Sequence, residues 1–294
     1  MEQKRLYKAW VGYAFLGPWL IGLLAFTIIP MVMSLYFSFT QYNMANAPQW
    51  IGFGNYINLF SDSRVHKSLQ VTFTYVALSI PCQLAFALLL AMVLKKNRAG
   101  VRIYRAIYYL PSLFGSSVAV ALLWRQIFNQ QGIINQLLAL VGITGKNWIA
   151  TPDTALYTLI ALAIWQFGSS MVVFLGGLKQ ISPDYYEAAE IDGANKMRMF
   201  TGITLPLLTP IVFFNLVMTI IGAFQAFTPS YIISRGTGSP VDSTLFYTLY
   251  LYIAGFRQFK MGYASALAWV LLVIIAIVTA LMFAAAKKWV YYDE

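Results

Sequence analysis

The chain has 294 residues, of which 60% are hydrophobic and 10% charged, and a net charge of +10. Soluble domains carry about 25% charged residues, so an ordinary soluble fold is excluded, and the mean hydropathy of +0.67 agrees. The basic residues stand in short clusters between apolar runs; a nucleic-acid binder would gather them on one soluble face, so the partner they suit is a membrane surface.

Met1-Glu2-Gln3-Lys4-Arg5 precedes a long apolar stretch without a small-residue cleavage site. It reads as a retained first span. Six stretches can cross about 30 Å of hydrocarbon, which takes about 20 helical residues. They are expected near 13–39, 69–94, 106–128, 155–178, 203–227 and 263–286. The first carries Pro18 and Pro30, which lipid-embedded helices tolerate. None of the six contains Asp or Glu. The predicted class is an all-α polytopic membrane protein forming one transmembrane domain over 1–294.

Cytoplasmic loops carry the excess of Lys and Arg. With both termini inside, Lys4, Arg5, Lys8, Lys95, Lys96, Arg98, Arg102, Arg105, Lys179, Lys196, Arg198, Lys287 and Lys288 are cytoplasmic, 13 in all. Arg64, Lys67, Arg125, Lys146, Arg235, Arg257 and Lys260 fall outside or at the outer boundary, which is 7. The balance puts both termini and the 179–202 loop in the cytoplasm.

The outer loops carry Trp50-Ile51-Gly52-Phe53-Gly54-Asn55-Tyr56 in 40–68, and Gly132, Asn135 and Trp148 in 129–154. The longest, 228–262, runs into Leu245-Phe246-Tyr247-Thr248-Leu249-Tyr250-Leu251-Tyr252. That aromatic run is expected as a short helix lying in the membrane interface. His66 is expected to be solvated in its outer loop, and Cys82, the single cysteine, to be a packing residue; one cysteine excludes an internal disulfide.

The densest acidic run is Glu187-Ala188-Ala189-Glu190-Ile191-Asp192-Gly193, between the fourth and fifth spans. Ser182 can cap a helix there, Pro183 suits its first position, and Asp184 suits its positive end. Gly193 is placed to end it with a left-handed residue. Glu187 and Glu190 share a face, while Ala188 and Ala189 leave a smooth surface able to enter a cleft. Taken alone, this pattern fits a docking helix and a solvated turn equally well.

On the fourth span Gln166, Ser169, Ser170 and Gly177 fall on one helical face. Asn215, Thr219, Gly222 and Ala226 do so on the fifth, with Gln225 flanking. Neutral polar groups of this kind suit sugar hydroxyls, and they equally serve as glue between membrane helices.

Glu187-Ala188-Ala189, three residues, Gly193, nine residues, then Ile203-Thr204-Leu205-Pro206 resembles the signature loop of permease subunits in binding-protein-dependent ABC importers. The resemblance extends along the chain, and is nearest to carbohydrate permeases of the maltose and glycerol-phosphate type. Its carriers include Gly17-Pro18, Pro30 with Ser34 through Ser38-Phe39, Gly52 with Asn55-Tyr56, and Tyr109-Leu110-Pro111. Trp124 with Phe128, Gly132 and Asn135 follow, then Thr237-Gly238-Ser239-Pro240 with Thr244, and Gly262-Tyr263-Ala264-Ser265-Ala266. Ser239 departs from the glycine of many relatives, and the extra N-terminal spans of some are not in this sequence.

The resemblance implies the type I importer permease fold, with a cytoplasmic coupling helix between the fourth and fifth spans. It makes Glu187, Ala188, Ala189, Asp192 and Gly193 the ATPase-coupling residues; the polar helix faces, and not the resemblance, make Gln166, Ser169, Ser170, Asn215, Thr219 and Gln225 the candidate substrate path. It implies a second, related permease, two ATP-binding subunits and an extracytoplasmic solute-binding protein in a bacterial inner membrane. Nucleic acid is not a partner.

Gly142-Ile143-Thr144-Gly145-Lys146 is too short for a Walker A loop, so the chain is expected to be no ATPase and to bind no cofactor or metal, with ATP and Mg on partner subunits. A secondary carrier acting alone is the competing reading. Proton-coupled carriers commonly use an intramembrane ionisable group, and the six spans have no acid. A membrane enzyme lacks support, since no catalytic constellation is present and His66 is the only histidine.

Overall fold

The computed structural model describes residues 2–95, 100–115 and 117–291, with side chains from residue 13 onward. Lys96 and Arg98, placed inside by the basic-residue count, lie outside the described residues, as do the side chains of Lys4, Arg5 and Lys8.

Helix α1 (Glu2–Leu23) passes through a π-helical turn (Leu24–Ile28) into α2 (Ile29–Ser38), and Pro30 lies just after that turn. A two-stranded antiparallel hairpin follows, β1 (Thr40–Gln41) against β2 (Gln49–Trp50), with Thr40 opposite Trp50. Then come α3 (Gly54–Ser61), α4 (Ser63–Leu94), α5 (Val101–Phe114), α6 (Val118–Ile127) and α7 (Ile133–Leu140). The chain continues with α8 (Pro152–Trp165), α9 (Gly168–Gln180), α10 (Pro183–Ile191), α11 (Lys196–Met199) and α12 (Leu205–Phe224). It ends with α13 (Thr228–Ile233), α14 (Tyr247–Tyr252) and α15 (Met261–Ala286).

Among the described residues five helical stretches are long and apolar enough to span: Tyr13–Ser38, Ser63–Leu94, Pro152–Gln180, Lys196–Ile233 and Met261–Ala286. The sixth candidate, expected as one helix over 106–128, is the pair α5–α6, bent by 103°. Its cause is local. Gly115 closes α5 with φ +48°, a conformation that other residues avoid. Ser117 then caps α6 by accepting from the Val120 N–H.

Residues group into two compact units, a boundary the sequence reading did not draw. One comprises 1–62 with 251–272, the other 63–250 with 273–294. In the first, Asn55 Nδ2 donates to the carbonyls of Ser38 and Thr40, both at 2.9 Å, and the Ser38 and Tyr56 hydroxyls pair at 2.8 Å. Phe39 gathers Trp50, Phe53 and Tyr56 around its ring. Tyr263 donates to Asp62 Oδ2 at 2.7 Å.

In the second unit α4 packs on α8, α9 and α12, and α9 also packs on α5. Phe174, Leu159, Leu162, Met171, Leu178 and Leu208 are fully buried between these helices. Asn135 closes the loop that follows α6. Its Nδ2 donates to the carbonyls of Asn129, Gln130 and Lys146, and its Oδ1 accepts from Trp148 Nε1 at 2.7 Å.

Three expectations need correction. The aromatic run 245–252 does form a helix over Tyr247–Tyr252, but Leu245, Phe246, Tyr247, Leu249 and Tyr250 are buried in protein instead of lying in a lipid interface. Phe246 sits 4.6 Å from the Tyr75 ring, and Thr72 Oγ1 accepts the Tyr247 N–H at 2.9 Å. Burial pushes the Tyr247 phenol well above its ordinary pKa, so it stays neutral. Cys82 is exposed on α4, not packed inside. His66 is exposed but belongs to the first turn of α4, since that helix begins at Ser63, six residues before the hydropathic stretch expected from 69.

Candidate functional site

The acidic loop is a helix with both ends capped. Ser182, at φ −58° and ψ 137°, accepts from the Asp184 N–H at 3.3 Å, and Pro183 occupies the first position. At the other end Gly193 has φ +73°. Its N–H reaches the Glu190 carbonyl at 3.0 Å, and the Ala194 N–H reaches the Ala189 carbonyl at 2.9 Å. These two bonds together are a Schellman closure, which reverses the chain at a left-handed residue.

Helix α10 has an inner and an outer side. Tyr186 and Ala189 are half-buried; Glu187, Ala188, Glu190, Ile191 and Asp192 are exposed. The Tyr186 hydroxyl pairs with Thr204 Oγ1 at 2.9 Å, and Lys95 Nζ lies 4.6 Å from its ring centroid. Tyr186 thus fixes the helix to the chain entering α12. On the outer side Ile191 is 87% exposed and Tyr185 51%. Among the described residues Glu187 and Glu190 form no ion pair, and Arg64–Asp242 lies elsewhere.

A second feature lies between α4, α8 and α12. A cavity of about 240 Å³ is lined by Ser79, Gln83, Gln166, Thr219, Gly222 and Ala226, with Tyr75 beside them. Gln166 is held by its own amide, whose Nε2 donates to the Gly115 carbonyl at 2.7 Å; Gln83 Nε2 lies 3.4 Å from the Gln166 carbonyl. A wall of amides and hydroxyls among apolar residues can hydrogen-bond a neutral polyhydroxylated solute without holding it by charge.

Of the six expected path residues, Gln166 and Thr219 line this cavity. Ser169 is exposed and Ser170 buried elsewhere. Gln225 is exposed at the end of α12. Asn215 is buried away from the cavity, and its Nδ2 has no hydrogen-bond partner. The fourth span is interrupted between Trp165 and Gly168, so Gln166 does not continue the helical face that carries Ser169 and Ser170. The reading from sequence missed Ser79 and Gln83. Their signal was present: two polar residues four apart in an apolar run share a helix face. Tyr186 gave no comparable signal, because nothing local says which side of α10 turns inward.

Comparison with known proteins agrees with this architecture. The binding-protein-dependent transport system inner membrane component family matches residues 51–290. A probable ABC transporter permease, YesP of Bacillus subtilis, is 54% identical over 285 residues, covering 96% of this chain and 92% of YesP. The lactose transport system permease LacF of Rhizobium radiobacter is 31% identical, covering 97% and 96%. The arabinooligosaccharide transport permease AraP of Bacillus subtilis is 32% identical over 91% of this chain and 85% of its own. Among solved structures, a bacterial ABC transporter involved in alginate import superposes with a TM-score of 0.79 at 22% identity, covering 97% of this chain and 98% of the other. At that identity the likeness speaks for the fold.

Proposed function

We propose that this chain, which belongs to the family of binding-protein-dependent transport system inner membrane components, is the permease subunit of an ATP-driven carbohydrate importer. The observation that carries the reading is α10. It is a capped helix with unpaired Glu187 and Glu190 and an exposed Ile191, in a chain whose family works with other subunits.

In this reading Glu187, Ala188, Ala189, Asp192 and Gly193 meet a separate ATPase subunit, and Tyr186 passes its motion to α12 through Thr204. Two such subunits hold ATP and Mg, a second related permease completes the pore, and an extracytoplasmic binding protein delivers the solute. The carbohydrate class is supported by the named substrates of LacF and AraP and by the uncharged, hydroxyl- and amide-bearing cavity. In this reading Gln166 and Thr219, joined by Gln83 and Ser79, meet sugar hydroxyls. Both termini and α10 face the cytoplasm. The motive is the 13-to-7 split of basic residues.

The test is reconstitution of the chain with its co-purifying subunits and binding protein in vesicles. Uptake of a labelled oligosaccharide should require both ATP and the binding protein. Uptake that needs neither would make the chain a secondary carrier. Single cysteines near positions 190 and 240 should label from opposite sides of intact cells, and labelling from one side would overturn the orientation.

A further inference from the structure

A further cleft lies beside α10, next to a cavity that Lys95 and Tyr186 share with Glu187 and Glu190. It has a volume of about 240 Å³ and is bounded by Met92, Lys95, Leu178, Tyr186, Lys196 and Phe200, among others. Its walls are mostly apolar, two lysines stand at its edge, and no acid lines it. Among the described residues neither lysine has a carboxylate within 4 Å. Among the described residues Lys95 is oriented by the Tyr186 ring, a contact that leaves its ammonium donors unspent. Arg105, by contrast, is committed: its Nε and Nη2 donate to the Leu94 carbonyl at 3.2 and 2.6 Å, capping α4.

The level of the cleft matters as much as its lining. Lys95 directly follows Leu94, the last residue of the 32-residue spanning helix α4. On the final turns of that helix Leu89 and Val93 are 56% and 70% exposed. The lysine therefore stands where hydrocarbon gives way to headgroups. A ligand that fits needs an anionic group for two ammonium ions and an apolar body for Met92, Leu178 and Phe200. A small anion alone would leave those apolar walls uncovered.

We propose that this cleft binds an anionic phospholipid, its phosphate between Lys95 and Lys196 and the start of an acyl chain against Met92, Leu178 and Phe200. Because Tyr186 forms part of the wall and also holds α10 to Thr204, an occupied cleft steadies the docking helix. The inference rests on the chain lying in a membrane and is independent of what it transports.

The test uses the purified protein with its co-purifying subunits in nanodiscs of phosphatidylcholine, with and without phosphatidylglycerol. Retained lipid is counted by native mass spectrometry, and thermal stability is read alongside. The wild type should retain phosphatidylglycerol preferentially. The double variant Lys95→Gln/Lys196→Gln should weaken that retention by about fivefold per lysine. Lys95→Arg/Lys196→Arg should keep it, and Lys287→Gln/Lys288→Gln should leave it unchanged. Unaltered retention in the glutamine pair would overturn the site. So would displacement of the lipid by inorganic phosphate, which would assign the lysines to a free anion. Loss of ATPase-subunit association with lipid retention intact would assign them to a protein contact instead. None of these readouts depends on transport, so failure of the importer reading would be seen separately.

Discussion

The phenol oxygen of Tyr186 stands 2.9 Å from the Thr204 hydroxyl, tying α10 to the chain that leads into α12 by one side-chain bond. The bond joins residues 18 apart, across the left-handed turn at Gly193. Removing it leaves the ring and its Lys95 contact in place. Tyr186→Phe should therefore fold and assemble, yet loosen the helix by about 1 kcal/mol. Amide exchange over 183–193 should quicken about fivefold, with no change over α4. Unchanged exchange would show that the bond does not hold the helix.

Gly193 carries the second expectation. No atom lies within 4 Å of where its Cβ would sit, so a substitution is strained by backbone conformation and not by crowding within this chain. Gly193→Ala should cost about 1 kcal/mol locally. Gly193→Asp adds a charge and bulk on the exposed side, and should be more damaging if a partner groove closes there. Glu187→Ala should be the mildest, removing one prospective ion pair. ATPase association and binding-protein-stimulated hydrolysis in vesicles rank the three. Equal coupling in Gly193→Asp and wild type would remove this loop from the joint.

Close helix approach predicts a graded series. A Cβ on Gly168 would lie 2.6 Å from the Tyr108 carbonyl oxygen and 2.9 Å from Tyr109 Cα, both backbone atoms that cannot step aside. On Gly177 it would meet the side-chain ends of Ile211 and Leu208, which can turn; on Gly222 it would meet nothing. Gly168→Ala should lose about 1–3 kcal/mol, Gly177→Ala less, and Gly222→Ala little. Melting temperatures of the purified variants test the order. Gly222→Leu should leave stability near wild type but fill the cavity shared with Gln166 and Thr219, lowering uptake.

Arg64 grips Asp242 with both arms of its guanidinium, at 2.7 and 3.0 Å, over the Tyr250 ring. Both side chains are about a third exposed, so the pair is screened. A double-mutant cycle with Arg64→Met and Asp242→Asn should give a coupling of about 0.5–1 kcal/mol that shrinks with added salt. The readout is protection of the 235–242 segment from protease, since that segment holds Arg235, Val241 and Asp242 at positive φ.

Much of this protein was written in short-range chemistry. Apolar length anticipated five stretches that are long helices in the structure, because hydrocarbon forces each backbone to satisfy itself within one helix; the sixth, bent after Gly115, it took for one helix. The caps of α10 were also legible, since Ser182, Pro183 and Gly193 act on neighbours within a few residues. Packing decided what composition could not. The sequence 245–252 is as suitable for a lipid interface as for a protein core, and only Thr72, Tyr75 and their neighbours on α4 made it core. The helical wheel put Gln166 with Ser169 and Ser170, whereas the break before Gly168 put it with Gln83 and Thr219. Tyr186 was one aromatic among many until the fold brought Thr204 and Lys95 to it. Periodicity is a property of one helix; which residues from different helices share a cavity is set by the backbone breaks and close approaches that only the assembled bundle contains.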